Sequence, residues 1–500
     1  MARKRSRQSE ENPLTAPADI AALRQRHGPR YRWLLLVSVM VGTMAAIMSS
    51  TIINVAVPDM SRHFTLGQER AQWVSSGFMV ATTVSMLTTP WLLGRFGYRR
   101  TYLGAMLVLM AGGIAGGVAG EFALVLAARV AEGLAAGVVQ PIPAIIILRA
   151  FEPQEQGRAS GIFGMGVVLA PALGPSIGGV LVDLFGWRSI FFMVVPFCLL
   201  SIWLALRYVP DAAPGGAAAR RGAALDWLGL LLGSAGTLCL LNGLVELHGG
   251  GPQGAVLLIA AAAAFAAFIG WQHRLQRRGG EPLMNLRLFE ARPFAMGSIV
   301  SFIYGTALFG STYLLPVYMQ LGLGLSPSYV GTILLPAGLA LAVTIPLVGR
   351  LADVRPTWAL VCTGLALLAA SFALMPTVGI GHSMVLLAAW TVVGRIGLGF
   401  ILPSLNLGAI RSLDKALVPQ GSSAINFVRM LGGAAGVSLC GIVLQWRIAA
   451  HGDSLTRAAS SPARLAAFNE SFFMLAALCG LAILAAWQLR EPPQNAPPVE

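Results

Sequence analysis

GRASGIFGMGVVLAPALGPSIGGVLVDLF, Gly157 to Phe185, is the stretch on which the reading of the chain turns. Gly166, Ala170, Gly174 and Gly178 recur at every fourth position, which on a helix makes a slowly winding stripe of residues with almost no side chain. Pro171 and Pro175 keep the same spacing, and each removes a backbone hydrogen bond and crowds the carbonyl one turn back. With seven glycines and two prolines, the segment makes a poor helix in water. In hydrocarbon the backbone has little alternative to a helix, and there the segment becomes a smooth rod suited to close approach and bending.

Composition puts the chain in hydrocarbon. Of 500 residues 56% are hydrophobic and 11% charged, against about 25% charged in soluble proteins, and mean hydropathy is +0.71. The chain reads as an all-α polytopic membrane protein. Its formal charge of +14 does not point to nucleic acid. Lys4 and Lys415 are the only lysines, and the arginines stand in short segments between apolar runs, which is orientation charge. The expected partner is the lipid bilayer, and no nucleic acid. Cys198, Cys239, Cys362, Cys440 and Cys479 all fall in apolar runs and read as small buried fillers, not disulfides or metal ligands. Polar and basic through Arg32, then apolar with no small-residue cleavage site, the N-terminus reads as a retained tail.

Apolar stretches of about 20 residues predict fourteen transmembrane helices, beginning near Trp33, Ala71, Thr101, Phe122, Gly157, Ser189, Trp227, Gly254, Phe294, Pro327, Thr357, Ser383, Val418 and Phe472. With the N-terminus inside, 26 of the 35 lysines and arginines fall in inner loops and tails, which sets both termini in the cytoplasm of a multi-pass protein. Pro58 and Pro316, Arg95 and Arg350, Arg129 and Arg395, and Gly174 and Gly436 are each separated by roughly 260 residues, the mark of an internal repeat. The expected division is a tail at 1–32, a six-helix bundle at 33–208, a linker with a two-helix hairpin at 209–293, a second six-helix bundle at 294–489 and a tail at 490–500. Within the linker, Leu283, Leu286, Leu288 and Phe289 beside Arg287 and Arg292 suit either a membrane-surface helix or a plain solvated loop.

Soluble-enzyme motifs fail in context. Gly174 to Gly178 spells GxSxG, but a nucleophile elbow needs a strand before it and a histidine near it, and all six histidines fall in loops or at helix ends. Neither lysine follows a glycine, which excludes a phosphate-binding loop. No enzyme activity, cofactor or metal is expected, and energy must come from a gradient or a separate subunit. Polar groups inside the membrane are then the functional candidates. Arg129 and Glu132, three apart, share a face and suit either a proton relay or a static ion pair. Arg429, one turn beyond Asn426, is a site candidate, whereas Arg395 near a helix end reads as snorkelling to the interface. Thr43, Ile47, Ser50 and Asn54 trace one helix face with Met40, Met44 and Met48 beside it, a surface suited either to varied apolar ligands or, as is more common for methionine, to filling gaps between helices. Asn54, Ser50, Met48, Asn426 and Arg429 form the expected substrate cavity.

Together these landmarks resemble the major facilitator superfamily, and within it the fourteen-helix drug:H+ antiporter branch. Ala170 to Gly179 is similar to the antiporter motif of the fifth helix, with Gly174, Pro175, Gly178 and Gly179 as its hinge. Trp187 to Phe192, Thr51 to Pro58, Arg129 to Gly133, and Asn426 to Arg429 with Gly432 and Gly433 resemble further motifs of the branch. The resemblance implies the major facilitator fold, two six-helix bundles plus an inserted hairpin. It also implies multidrug-type efflux from an inner membrane, with antibiotic resistance as the phenotype and, in some members, a periplasmic adaptor and an outer-membrane channel as partners. Two departures stand out. Ser49 occupies the place where the helix-one motif often has aspartate, which moves the expected proton coupling to Glu132 with Arg129. Gly94 replaces the aspartate of the first cytoplasmic loop motif, while Asp353 keeps it in the second half; Arg95, Arg99, Arg350 and Asp353 form the expected cytoplasmic gate, with Asp353 pairing Arg350 or Arg355. The expected function is proton-coupled export of hydrophobic or amphipathic compounds by alternating access. An importer of a small metabolite, or a scaffold that moves nothing, are the alternatives.

Overall fold

A computed structural model of the chain describes residues 20–66, 68–212, 214, 224–247, 252–379, 384–453 and 461–490. Among them are seventeen α-helices and no strand: α1 (Ile20–His27), α2 (Tyr31–His63), α3 (Gln68–Ser85), α4 (Thr89–Phe96), α5 (Tyr98–Val118), α6 (Phe122–Val139), α7 (Ile142–Ala150), α8 (Gln156–Phe185), α9 (Ser189–Tyr208), α10 (Trp227–Glu246), α11 (Pro252–Arg277), α12 (Arg292–Val317), α13 (Pro327–Leu351), α14 (Thr357–Leu374), α15 (Met384–Ile410), α16 (Val418–Ala450) and α17 (Pro462–Trp487).

Twelve stretches among the described residues are long and apolar enough to cross a membrane, where fourteen are expected from the sequence. The remaining two, the second and fifth of the series, are helical in the structure. The second is divided by a 3₁₀ turn at Met86–Thr88 into α3 of 18 residues and α4 of 8. The fifth, α8, is one continuous helix of 30 residues, whose side chains at 171–173, 175 and 176, Pro175 included, lie outside those described.

Prolines mark the other joints. Gln140 and Pro141 separate α6 from α7, yet Phe122–Ala150 runs as a single apolar stretch. Pro316 denies its turn a backbone donor, and the chain winds into a π turn at Tyr318–Gly322 before α13. Gly97, between α4 and α5, has φ +81°, and a β-carbon there would stand 2.5 Å from the Asp211 carbonyl, so the glycine is required.

Two buried clusters make up most of the core. One joins Leu35, Tyr102, Met106, Ile145 and Cys198 from α2 to α9, the other Tyr304, Tyr318, Phe372, Phe468 and Phe472 from α12 to α17. The first and fifth long helices of each half pack as a matched pair. In one half Gly174 and Gly178 of α8 rest on Thr51 and Ile52 of α2; in the other Gly436 of α16 rests on Thr306 of α12, with the Thr306 hydroxyl donating to the Gly432 carbonyl at 2.9 Å. Helices α10 and α11 are peripheral: 17% of the α11 stretch is buried, against 61% for that of α12. The segment after α11 corrects one expectation, because Met284 and Leu288 are buried against Phe268, Phe294 and Phe427 and its apolar side faces protein, not lipid.

Candidate functional site

Arg129 and Glu132 of α6 are sealed inside the first half at 1% and 0% exposure. Arg129 Nη1 donates to Glu132 Oε2 at 2.5 Å and to Ser49 Oγ at 2.7 Å, and Ser49 Oγ donates to Glu132 Oε2 at 3.2 Å. Arg129 Nε donates to the Val74 carbonyl at 3.3 Å, and the guanidinium lies 4.2 Å from the Phe78 ring centroid. Gly112 makes the room, since a β-carbon there would stand 2.6 Å from Glu132 Cγ. Ser49 thus accepts from the arginine and donates to the glutamate, standing where a second carboxylate would crowd the first. Glu132 Oε1 and Arg129 Nη2 are buried with no hydrogen-bond partner.

A cavity lies between the halves. Its walls come from α2, α7, α8, α15 and α16 with Gln140, and its polar members are Thr43, Gln140, Ser160, Asn406, Asn426 and Arg429. Of the expected cavity residues, Asn426 and Arg429 line it, while Asn54, Ser50 and Met48 do not. Ser50 donates to the Ile47 carbonyl at 2.7 Å, Asn54 accepts from Ser75 at 2.9 Å on an exposed face, and Met48 is buried in the core. From that α2 face the cavity takes Thr43 and Ile47. Gln140 and Asn406 were missed; the one signal for Gln140 was its place at the proline joint. Arg429 donates to Asn426 Oδ1. Arg395, expected near a helix end, stands in the middle of α15.

At the end of the molecule carrying the arginine-rich loops, α8 crosses α13. Gly157 and Gly161 meet Gly349 so closely that a β-carbon on Gly161 would lie 2.9 Å from Pro346 Cα. Asp353 accepts from the backbone nitrogens of Gly157 at 2.6 Å and Arg158 at 2.9 Å. These are donors of the first turn of α8, whose own N-cap residue, Glu155, makes no side-chain cap. Asp353 therefore pairs with a helix terminus of the other half and not with Arg350, which is exposed. Arg99 donates to the Leu206 carbonyl within its own half at 2.8 Å, and Arg95 stands on α4. Ser422 donates to the Pro141 carbonyl at 3.0 Å and Arg149 to the Lys415 carbonyl at 2.6 Å, two more bonds between the halves at this end.

Long apolar helices packed on both sides of a cavity are the architecture of a multi-pass membrane transporter. The chain belongs to the Major Facilitator Superfamily, whose family model matches residues 39–437. It is 29% identical over 415 residues to a multidrug resistance protein B homolog of Mycobacterium tuberculosis (strain ATCC 25618 / H37Rv), covering 82% of this chain and 76% of that protein. It is 28% identical over 416 residues to a tetracenomycin C resistance and export protein of Streptomyces glaucescens, covering 83% and 76%. Among solved structures, the proton:xylose symporter XylE superposes with a TM-score of 0.64 at 14% identity, covering 91% of this chain and 95% of that one, a likeness of fold.

Proposed function

We propose that this protein is a proton-coupled efflux transporter that exports hydrophobic or amphipathic organic compounds by alternating access. The observation that carries the reading is the cavity between the halves, lined from both and shut at its arginine-rich end by the α8–α13 crossing and the Asp353 cap. The similarity to proteins named for drug resistance and antibiotic export supports the direction. In this reading the chain spans the membrane fourteen times with both termini in the cytoplasm, α3 with α4 and α8 being the two spans beyond the twelve, and the arginine-rich end faces inward. Coupling falls to Glu132. Its carboxylate already rests on Arg129 and Ser49, and Oε1 is the oxygen left to take a proton. Protonation would weaken its hold on Arg129 and loosen the packing of α6 on α2 and α3, which links proton uptake to the motion of the bundle.

The test is transport in proteoliposomes under an imposed pH gradient. Wild type should drive a hydrophobic dye against its concentration gradient, and Glu132→Gln should lose gradient-driven transport while keeping downhill exchange. Uphill transport by Glu132→Gln at the wild-type rate removes Glu132 from the coupling step, and the absence of transport by wild type for any probe removes the export reading.

A further inference from the structure

The charge of the cavity wall goes beyond the export reading on which this inference rests. Arg429 reaches the cavity, and its hydrogen-bond partner there is an amide: it donates to Asn426 Oδ1, while Asn426 Nδ2 is held by the Ser422 carbonyl at 2.8 Å. An amide oxygen orients a guanidinium and leaves its charge whole. None of the described residues lining the cavity is aspartate or glutamate. The nearest buried acid of the other half, Glu132, is already taken by Arg129. The remaining polar lining, Thr43, Gln140, Ser160 and Asn406, is neutral and rich in donors.

Uncompensated positive charge in a low-dielectric wall lowers the energy of an anion and raises that of a cation. A guanidinium also presents paired donors that match carboxylate, sulfonate or phosphonate oxygens. Beside it, Ile47, Phe163, Val167 and Leu402 offer an apolar bed. We propose that the cavity selects amphipathic organic anions, seating the acidic head on Arg429 and the apolar body against Phe163 and Leu402, and that it disfavours organic cations. Such cargo suits the proposed coupling, because an anion leaving and a proton entering both run down an inside-negative potential.

The test is equilibrium binding to the full-length protein in nanodiscs, with empty nanodiscs subtracted and no gradient present. The probes are 8-anilinonaphthalene-1-sulfonate, N-phenyl-1-naphthylamine, which is the same skeleton without the acid, and ethidium. The sulfonate should bind at least about tenfold more tightly than the neutral amine, the worth of a charge-assisted hydrogen-bonded pair, with ethidium weakest. Arg429→Gln should abolish that preference by weakening the sulfonate while the neutral amine still binds, and Arg429→Lys should keep part of it. Equal binding of the sulfonate and the neutral amine, tighter binding of ethidium, or an undiminished preference in Arg429→Gln overturns the proposal. If Arg429→Gln does not fold, the wild-type comparison decides alone. A protein that binds with this preference yet moves no probe in proteoliposomes keeps the anion site and loses the export reading, so the two failures are separable.

Discussion

Asp353, at the end of α13 in the second half, caps the N-terminus of α8 in the first, accepting from the Gly157 backbone nitrogen at 2.6 Å. A cap supplied across an interface exists only while the halves are together, so it stabilises one arrangement and not the other. Removing it by Asp353→Ala should weaken closure at this end by about 0.5–2 kcal/mol, the usual worth of an N-cap. Electron–electron distance measurements between spin labels at 152 and 355, both exposed, should show a larger open population in the variant. An unchanged distance distribution would mean that the glycine contacts alone hold the closure.

The same residue sets a pH dependence. Burial pushes the Asp353 carboxyl above the ordinary aspartate range, outweighing the two backbone hydrogen bonds and the Arg411 charge, which act downward. Closure thus binds a proton more tightly than an exposed aspartate does. From the ordinary aspartate value up to the raised one, the closed arrangement loses stability as pH rises, and above that window the loss is complete and constant. The closed population at the 152–355 label pair should therefore increase on acidification through the window, and Asp353→Asn should flatten the response. A rise in the open population on acidification would reverse the sign and sink the argument.

Glu132 offers a sharper exchange. Ser49 donates to its carboxylate at 3.2 Å, so moving the acid from α6 to α2 displaces it by one side chain and leaves Arg129 paired. Ser49→Asp combined with Glu132→Gln should recover much of the gradient-driven transport that Glu132→Gln alone loses. Arg129→Met leaves a buried carboxylate without its partner and should cost about 3–5 kcal/mol of stability, read as a lower unfolding midpoint in detergent. Recovery no better than Glu132→Gln alone would place the coupling acid elsewhere.

What the sequence disclosed follows from which forces act locally. Twelve of the fourteen expected spans were legible because hydrocarbon enforces about 20 apolar residues per crossing, and the Arg129–Glu132 pair because three residues on a helix fix a shared face. The division of the second span at Met86–Thr88 escapes apolar counting, although Pro90 explains it locally by denying the Met86 carbonyl a backbone donor. Asp353 was identified as a latch but given the wrong partner: side-chain charges are visible in a sequence, whereas the unpaired amides at the start of α8 belong to the folded backbone. Arg395 reads as near a helix end because apolar counting leaves helix ends uncertain by several residues, whereas α15 runs from Met384 to Ile410 around it.

The glycines of α8 divide by what they touch. A β-carbon on Gly174 would stand 2.6 Å from Thr51 Oγ1, and one on Gly161 would meet Pro346 and Gly349 of the other half, whereas nothing lies within 4 Å of the same atom on Gly179. Gly161→Leu should hold the halves apart at the arginine-rich end and shift the 152–355 label distance outward. Gly174→Leu should pry α8 from α2 and stop transport with the protein still inserted. Gly179→Ala should transport like wild type. Loss of transport in Gly179→Ala comparable to that in Gly174→Leu would show that the motif acts through something other than close packing.

One polar cluster ties the two helices of the α10–α11 hairpin to each other and to the segment that follows. Asp226 caps α10 through the Gly229 nitrogen at 2.8 Å, accepts from Trp271 Nε1 at 2.8 Å and from Gln272 Nε2 at 2.7 Å, and Gln272 Oε1 in turn accepts from the Met284 nitrogen at 3.3 Å. Asp226→Ala strands two side-chain donors, Gln272 fully buried, at about 1–3 kcal/mol each. The cavity draws no wall from α10 or α11. The variant should therefore exchange amide hydrogens faster through Trp227–Glu246 while transport per folded molecule is retained. Should transport fall in step with hairpin protection, the hairpin is coupled to the moving bundles and is more than a peripheral addition to them.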